Sequence, residues 1–274
     1  MIKEKRILIT GCAGSIGSEL CRQLSKDNKI FGIDNNESGF FDIQQETGIF
    51  GRVGDIRDDK TCFDIFSDFK PQIVFHAAAL KHVPLMEKYP IEAIQTNIIG
   101  TWNIIKEAKN WECLEKFVFI STDKAVSSSS IMGGTKRLGE IMVKNQGKGF
   151  VVVRFGNVLG SRGSLIPIWE KQINKGEAIT ITDLKMERYM MTIEDACGLV
   201  IGAAEDGKGG EIYILDMGKP IKILELAKEL VKNLGRDTPI KEIGIRGGEI
   251  LEEKLMFDEE KKVAIKKGNY YIIK

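Results

Sequence analysis

The sequence has no apolar run that approaches the roughly 18–20 residues needed to span a membrane, and it has little excess of charge of either sign. Lysine and arginine number 40 against 39 aspartates and glutamates, so the net charge is +1. Such a balance offers no electrostatic reason to bind nucleic acid or an anionic membrane, and we expect neither as a partner. Residues 1–6 run straight into a strand-like pattern, so we expect no signal peptide.

Cysteine is also sparse, and its few copies form no C-x-x-C pair. The five cysteines are scattered along the chain: Cys12, Cys21, Cys62, Cys113 and Cys197. An odd, unpatterned set is typical of ordinary buried thiols in a reducing compartment, so we expect a cytoplasmic protein. We assign no metal ligands.

What the sequence does contain is a regular alternation of short apolar segments and segments with helical spacing. Continuous apolar strands that alternate with helices predict an α/β fold with a doubly wound parallel sheet covered on both faces. The predicted strands are 6–10, 30–34, 49–53, 73–76, 117–121 and 151–155, and the clearest helices between them are 15–26, 91–109 and 131–145.

The pattern loosens after residue 157. We predict a nucleotide-binding Rossmann domain over 1–157 and a smaller substrate lobe over 158–274, interleaved with late elements of the sheet. Within the second part, 156–163 is expected to be a loop, 165–175, 193–204 and 221–234 helices, and 179–182 and 211–215 strands.

A glycine-rich turn joins the first strand to the first helix. Its spacing is G-x-x-G-x-x-G, in which Gly11 permits the tight turn, Gly14 lets the backbone approach a pyrophosphate and Gly17 allows close helix–strand packing. The phosphates would meet the positive end of the helix that follows. Asp34 ends the second strand and could accept hydrogen bonds from the adenine ribose, which favours NAD over NADP.

Two further strand ends are candidates for the same site. Asp55 and Ile56 follow the third strand and could frame an adenine, although a solvated loop carboxylate is an alternative for Asp55. The small residues Ala77, Ala78 and Ala79 follow the fourth strand and would let a cofactor lie against the backbone. His76, which ends that strand, is interpreted as structural rather than catalytic.

Several segments together carry a family resemblance over roughly residues 6–256. They are TGCAGSIGSEL, HAAALKHVPLMEKYPIEAIQTNIIGTWN, STDKAV, MGGTKR, VRFGNVLGSRGSLIP, RYMMTIEDA, ILDMGKPIKI and IRGGEILEEKL. The chain resembles the extended short-chain dehydrogenases/reductases and, more narrowly, the UDP-N-acetylglucosamine 4,6-dehydratases of bacterial polysaccharide biosynthesis. At the tyrosine position of the superfamily's Tyr-x-x-x-Lys pair this chain has Met132, and a thioether cannot transfer a proton. Methionine there is a known pattern of these dehydratases.

The resemblance implies NAD-dependent 4,6-dehydration of a UDP-N-acetylhexosamine, and it implies a role for each catalytic residue. Asp123 would be the acid on the C6 oxygen and Lys124 the base at C5. Thr122 would hydrogen-bond the C4 oxygen, and Lys136 would bind the nicotinamide ribose. Met132 would pack beside the substrate or the nicotinamide, with a core methionine as an alternative.

The resemblance also implies contacts to the two ligands. Ser15 and Ile16 of the glycine turn join the cofactor site. Asn157, Arg188 and Arg246 match residues that contact the diphosphate, and arginine suits bidentate phosphate contacts. Glu249 and Lys81 complete the expected substrate set, although for Lys81, as for Asn97, a structural role is equally open.

The chain departs from the family pattern in two loops that lack the usual prolines. One is the serine run 127–130, which we expect to be a mobile loop bordering the active site, and the other is 246–251. Retention of the C5 configuration is favoured. A C5-inverting dehydratase, a 4-epimerase and a non-catalytic NAD-binding sensor remain alternatives. Homo-oligomerisation through helices 91–109 and 131–145 is expected by analogy with the superfamily.

Overall fold

The computed structural model describes residues 2–126, 129–235 and 237–274. Its strands are β1 (Arg6–Thr10), β2 (Lys29–Asp34), β3 (Phe50–Val53), β4 (Ile73–His76), β5 (Lys116–Thr122), β6 (Phe150–Phe155), β7 (Asn157–Val158), β8 (Ile179–Ile181), β9 (Glu187–Arg188), β10 (Met190–Met191), β11 (Ile212–Leu215), β12 (Ile221–Lys222), β13 (Ile240–Glu242), β14 (Ile265–Lys267) and β15 (Tyr270–Ile273).

The helices follow the strands in the expected alternation. They are α1 (Ser15–Leu24), α2 (Glu37–Thr47), α3 (Asp59–Phe69), α4 (Val83–Lys88), α5 (Pro90–Ile94), α6 (Thr101–Asn110), α7 (Ile131–Lys144), α8 (Leu165–Asn174), α9 (Ile193–Asp206), α10 (Ile223–Asn233) and α11 (Asp258–Val263). Within the described ranges, none of them is both long and apolar enough to cross a bilayer.

The largest sheet has the strand order β3-β2-β1-β4-β5-β6-β11-β15-β14. Its strands run parallel from β3 to β11, which confirms the predicted doubly wound α/β fold. The order reverses between β1 and β4, and such a switch point opens a crevice at the carboxyl ends of the strands. The antiparallel hairpin β14–β15, which extends the sheet beyond β11, was not predicted.

Both faces of the central strands of this sheet are buried, whereas the edge strands β3 and β14 are mostly exposed. Because side chains alternate along a strand, Ile7 and Ile9 of β1 enter one apolar cluster and Leu8 enters the other. Helices α1 and α9 pack on the first face, while α3, α6 and α7 cover the second. This burial on two sides explains why the strands lack the polar alternation of a half-exposed sheet.

A third apolar cluster forms from the later part of the chain. Its buried members are Trp169, Ile173, Ile179, Ile181, Met186, Ile223 and Ala227. The indole nitrogen of Trp169 donates to the carbonyl oxygen of Thr180 at 2.8 Å, which ties α8 to β8. Because β11 and β15 return to the large sheet, the late chain contributes to two cores. The boundary at residue 157 stays a prediction.

Three local expectations differ from the structure. The predicted helix 91–109 is interrupted by a π-helical segment, Gln95–Gly100, between α5 and α6. The segment 221–234 begins as strand β12 before α10 starts, and the predicted loop 156–163 contains β7. In the serine loop, positions 127 and 128 lie outside the described residues, and Ser130 caps α7 by accepting from the Gly133 amide at 3.0 Å.

Candidate active site

A cavity of about 650 Å³ lies at the carboxyl ends of the central strands, between the sheet and the later part of the chain. A smaller cavity of about 190 Å³ adjoins it, and Gly11, Gly14 and Ala77 line both. Side chains from the glycine turn, from the end of β5, from α7 and from residues beyond 157 therefore surround one continuous space.

The glycine turn has the geometry that its sequence predicts. Gly11 adopts φ +70°, and a Cβ atom there would lie 2.7 Å from the amide nitrogen of Ala78. A Cβ atom on Gly17 would lie 2.1 Å from the carbonyl oxygen of Gly11, so only glycine lets α1 approach the turn. Gly14 precedes α1 and has no side chain to occupy the helix N-terminus, which stays available to an anion. Ser15 and Ile16 line the large cavity.

Cys12, inside this turn, is fully buried and packs toward Gly32. Burial raises the pKa of its thiol far above the ordinary range, because a thiolate would be desolvated there. Cys12 is therefore an inert packing residue.

Asp34 lies in the smaller cavity with Asp55, Ile56 and Ala78. One Asp34 carboxylate oxygen accepts from the backbone amide of Ala13 and the other from the backbone amide of Asn36, each at 2.9 Å. A carboxylate has about four lone-pair sites, so it can still accept from two ribose hydroxyls. Sequence analysis predicted this grouping, and the structure brings these residues together.

His76 has hydrogen-bond partners at both ring nitrogens. Thr101 Oγ1 donates to the carbonyl oxygen of Asn97 at 2.8 Å, so it accepts from His76 Nε2 at 2.9 Å. Thr10 Oγ1 accepts from the amide of Ala78 at 3.2 Å and donates to His76 Nδ1 at 2.7 Å. Burial lowers the pKa of His76 to about 3, so a neutral imidazole is expected. His76 connects three elements beneath the cavity.

The side chains of Thr122, Asp123 and Lys124 meet at the end of β5. Thr122 Oγ1 donates to Asp123 Oδ1 at 2.9 Å, and Lys124 Nζ donates to the same oxygen at 3.0 Å. Lys124 Nζ also donates to Asn157 Oδ1 at 3.0 Å. Asp123 is fully buried, whereas Thr122, Lys124 and Asn157 line the large cavity.

Sequence reasoning missed Glu253, the third ionisable residue of this cluster after Asp123 and Lys124. Its Oε1 lies 3.8 Å from both Lys124 Nζ and the Arg188 guanidinium, and the residue lines the cavity. Burial raises the pKa of Glu253, and the neighbouring Lys124 opposes that rise. The segment IRGGEILEEKL was already part of the resemblance, but nothing local distinguishes Glu253 from the exposed Glu252 beside it.

Lys136 and Met132 lie on the face of α7 that borders the cavity. Lys136 is buried, its Nζ lies 4.0 Å above the Phe119 ring, and burial lowers its pKa to about 7. Met132 lines the cavity and also belongs to a small buried cluster with Val83 and Met86. Met132 is therefore a core methionine that also borders the cavity, and its contact with the substrate or the nicotinamide stays a prediction.

Arg188 lines the cavity but is already engaged. Its guanidinium donates to the carbonyl oxygens of Glu187, Ile250 and Leu251 at 2.7–2.8 Å. It therefore holds the backbone of the segment that precedes Glu253, and a phosphate contact from Arg188 stays a prediction.

Several basic residues border the rest of the large cavity. Arg246 is half-exposed and paired with Glu249, and burial together with Arg162 lowers the pKa of Lys81. Burial, followed by Lys81 and Arg246, lowers the pKa of His82. Arg162, which sequence analysis did not select, lines both cavities. This concentration of positive charge favours an anionic ligand.

Asn97 does not line either cavity wall and has a structural role. Its side chain accepts from the amide of Leu80 at 2.8 Å, donates to the Leu80 carbonyl at 3.0 Å and donates to Thr135 Oγ1 at 3.0 Å. It thereby joins the loop after β4 to α7.

A glycine-rich turn and a 3-2-1-4-5-6 parallel sheet, with ionisable side chains at its carboxyl edge, give this chain the fold of the extended short-chain dehydrogenases/reductases. The chain also matches, over residues 7–274, the model of a family described as polysaccharide biosynthesis protein, and it belongs to that family.

Two relatives are similar over most of this chain. Capsular polysaccharide biosynthesis protein CapD of Staphylococcus aureus is 46% identical over 277 residues, and the probable polysaccharide biosynthesis protein EpsC of Bacillus subtilis is 47% identical over 276. Each alignment covers 94% of this chain but 46% of the relative. The chain thus spans less than half the length of these relatives.

Known structures confirm the fold. Pen from Bacillus thuringiensis superimposes with a TM-score of 0.92 at 37% identity, over 99% of this chain and 88% of Pen. DesIV of Streptomyces venezuelae, a dTDP-glucose 4,6-dehydratase with NAD and TYD bound, gives a TM-score of 0.81 at 22% identity, over 94% of this chain and 90% of DesIV.

A third relative is similar in sequence. The UDP-glucose 4-epimerase of Rickettsia typhi is 35% identical over 290 residues, which cover all of this chain and 84% of the epimerase.

Proposed function

We propose that this protein catalyses the NAD-dependent 4,6-dehydration of a UDP-N-acetylhexosamine, most simply UDP-N-acetylglucosamine, in the synthesis of a surface polysaccharide. The observation that carries the proposal is the 3.0 Å contact between the buried Asp123 and Lys124, which lines the cavity that also contains the glycine turn. An acid and a base at one end of the bound sugar are what loss of water across C5 and C6 requires.

The residues around the two cavities fit NAD. The amides at the start of α1 would face the pyrophosphate, and Asp34 would accept from the adenine ribose and repel a 2′-phosphate. Lys136 lines the same large cavity as Thr122 and suits the nicotinamide ribose. When bound, NAD would supply hydride transfer from C4 and its return at C6.

The side chains of this chain account for the proton movements. Lys124, as a neutral amine, would remove the C5 proton, which a ketone at C4 makes acidic. Asp123, in its protonated form, would donate to the departing C6 oxygen. Thr122 would hydrogen-bond the C4 oxygen, and Met132 would exclude water beside it. Retention of the C5 configuration is the favoured outcome.

The substrate's diphosphate would lie among the cationic residues at the cavity border. Arg246 and Lys81 carry the charge for this role, with Glu249 holding Arg246 in place. Asn157 lies beside Lys124 and would contact the diphosphate from the side of the catalytic group.

A 4-epimerase is the second candidate, because the UDP-glucose 4-epimerase of Rickettsia typhi is 35% identical to this chain over its whole length. An epimerase of this fold would use a tyrosine where this chain has Met132, and it would not need the Asp123–Lys124 pair. Dehydration is therefore preferred.

The experiment that tests the proposal is incubation of the purified chain with UDP-N-acetylglucosamine, followed by mass spectrometry and NMR. Loss of one water with a new C6 methyl signal is expected, and the coupling of the C5 proton reports retention or inversion. Lys124→Met should abolish product, while the exposed control Lys148→Met should not. An isomerised sugar that has lost no water would identify an epimerase. A bound but unchanged sugar, also with added NAD or UDP-N-acetylgalactosamine, would indicate a sensor.

We also propose that the chain forms a homo-oligomer through α5, α6 and α7. Large apolar side chains on or beside these helices are exposed, with Ile91 61% and Trp102 45% accessible. Such a surface on packed neighbouring helices favours a second copy. Ile91→Glu should reduce the mass measured by light scattering to that of one chain, whereas Phe41→Glu on α2 should not. A wild-type mass of one chain at micromolar concentration would refute this.

A further inference from the structure

Two carboxyl groups meet one lysine inside the candidate active site. Lys124 Nζ is 3.0 Å from Asp123 Oδ1 and 3.8 Å from Glu253 Oε1. The side chains of Asp123 and Glu253 are 0% and 4% exposed. Among the residues that the structure describes, neither Asp123 Oδ2 nor Glu253 Oε2 has a hydrogen-bond partner. Buried carboxyl oxygens seldom stay unpaired, so both invite a proton or a ligand hydroxyl.

The backbone that carries Glu253 is held on both sides. Before it, Arg188 donates to the carbonyl oxygens of Ile250 and Leu251. After it, the fully buried Arg154 donates to the carbonyl oxygen of Leu255 at 3.0 Å. Because these bonds fix the main chain, the position of Glu253 beside Lys124 is a built feature of the site.

The proposed function leaves one proton unaccounted for, because Lys124 can act as a base only after it has become neutral. Asp123 cannot take this proton, because it must already hold a proton of its own to act as the acid on the C6 oxygen. A second proton acceptor within the same buried cluster would resolve the conflict.

Resting on the proposed function, we propose that Glu253 is this acceptor and takes a proton from Lys124 before Lys124 attacks C5. One N–H bond of Lys124 breaks and one O–H bond forms on Glu253, so the net charge of the cluster is unchanged. The separation of 3.8 Å needs a small side-chain movement or one bridging hydroxyl. The ionisable groups that face Glu253 are Lys124, Asp123, Arg188 and Glu249.

The physical setting suits this transfer. Burial is the largest cause that raises the pKa of Glu253, and Glu249 adds to it, while Lys124 and Arg188 lower it, with a net rise. A carboxyl group with a raised pKa binds a proton more readily than one at the surface. Arg188 stays paired with backbone carbonyls whichever form Glu253 adopts.

The test compares the pH profiles of wild type, Glu253→Gln, Glu253→Asp and the control Glu252→Gln, whose position is exposed. Wild-type dehydration should fall as the pH drops through the pKa of Glu253, because a protonated Glu253 cannot accept. In Glu253→Gln the rate at neutral pH should fall by on the order of 100-fold or more. Its remaining rate should climb with pH, about tenfold per unit, because Lys124 must then lose its proton to solvent.

The outcomes separate this proposal from the function on which it rests. Glu253→Asp should keep a profile of wild-type shape at a reduced rate, because it retains a carboxyl group. Active wild type, with a Glu253→Gln profile that parallels Glu252→Gln, would overturn the role of Glu253 and leave the dehydratase standing. Wild type that produces no dehydrated sugar would overturn both. Melting temperatures of all four proteins identify any loss of folding. If Glu253→Gln does not fold, the pH profile of Glu253→Asp decides whether the carboxyl group at position 253 is the acceptor.

Discussion

Arg154 donates to both carboxylate oxygens of Glu140, at 2.9 and 2.7 Å, and both side chains are fully buried. Glu140 also accepts from Ser121 Oγ at 2.7 Å, and Arg154 reaches Glu260 at 2.7 Å. Burial alone would raise the pKa of Glu140, but its hydrogen bonds to Arg154 and neighbours lower it overall. The pair thus joins β6, α7 and the C-terminal segment beside the active site.

Removing both members of this pair should cost less than the two single removals added together. Glu140→Leu alone should cost about 3–5 kcal/mol of unfolding free energy, because the Arg154 charge loses its main buried partner. The double variant Glu140→Leu/Arg154→Leu should lose less than the sum of the two single variants. Urea unfolding measures each value, and the exposed Lys228→Ala serves as a control expected within about 0.5 kcal/mol of wild type. Strictly additive losses would contradict this coupling.

Gly17→Ala should lower both stability and cofactor retention. Its new Cβ atom would meet the carbonyl oxygen of Gly11 at 2.1 Å, which forces α1 away from the turn. We expect a loss on the order of 1–3 kcal/mol and a purified protein with less bound NAD. Gly202→Ala in α9 has open space and should gain up to about 1 kcal/mol. Equal thermal melts for the two variants would refute the close approach.

His76 should remain neutral across the range in which histidine normally titrates. Its folded-state pKa is about 3 and its ordinary value 6.5, so between these values the unfolded chain binds a proton that the folded chain does not. His76 therefore weakens stability progressively as the pH falls from about 6.5 to 3. The chain has two histidines, so an NMR titration should show a His76 signal that is flat from pH 5 to 8. A midpoint near 6.5 would contradict the buried network.

The difference in melting temperature between wild type and His76→Gln should also depend on pH, because His76 weakens the stability of wild type as the pH falls. The variant loses two hydrogen bonds, so it should be less stable at pH 7, and the gap should shrink toward pH 4. A gap that is independent of pH would argue against a neutral His76.

Lys136→Met should raise the melting temperature and weaken NAD binding. Burial lowers the pKa of Lys136 from 10.5 to about 7, so between these values the unfolded chain holds a proton that the folded chain lacks. The cost of Lys136 is therefore complete below pH 7 and disappears as the pH rises toward 10.5. Without cofactor, Lys136→Met should melt above wild type at pH 7, by a margin that narrows at pH 10, and it should bind NAD more weakly. A constant margin would contradict the lowered pKa.

Short-range patterns were enough to predict much of this protein. The strands from β1 to β6 fall within one residue of their predicted positions, because burial on both faces leaves a continuous apolar run in the inner strands; the edge strand β3 is mostly exposed. The glycine turn, Asp34 and the Thr122-Asp123-Lys124 group were also predictable, since each lies at the end of a recognisable strand. Their local geometry depends on a few neighbouring residues.

Features that depend on contacts between distant segments were not predicted. The hairpin β14–β15 has short strands whose pairing is decided by the free edge of β11. The π-helical segment accompanies the Asn97 bonds to Leu80 and Thr135, which come from two other elements.

The sequence by itself determined the class of fold, the cofactor turn and the adjacency of Asp123 and Lys124, because these follow from periodicity and from neighbours along the chain. Only the tertiary structure decided that Arg188 is engaged by backbone carbonyls, that His76 is buried between two hydroxyl groups and that Glu253 lies beside Lys124. The physical reason is that burial and charge pairing depend on which segments meet in space. Positions 252 and 253 are both glutamate, and only the packing of the chain exposes Glu252 and buries Glu253.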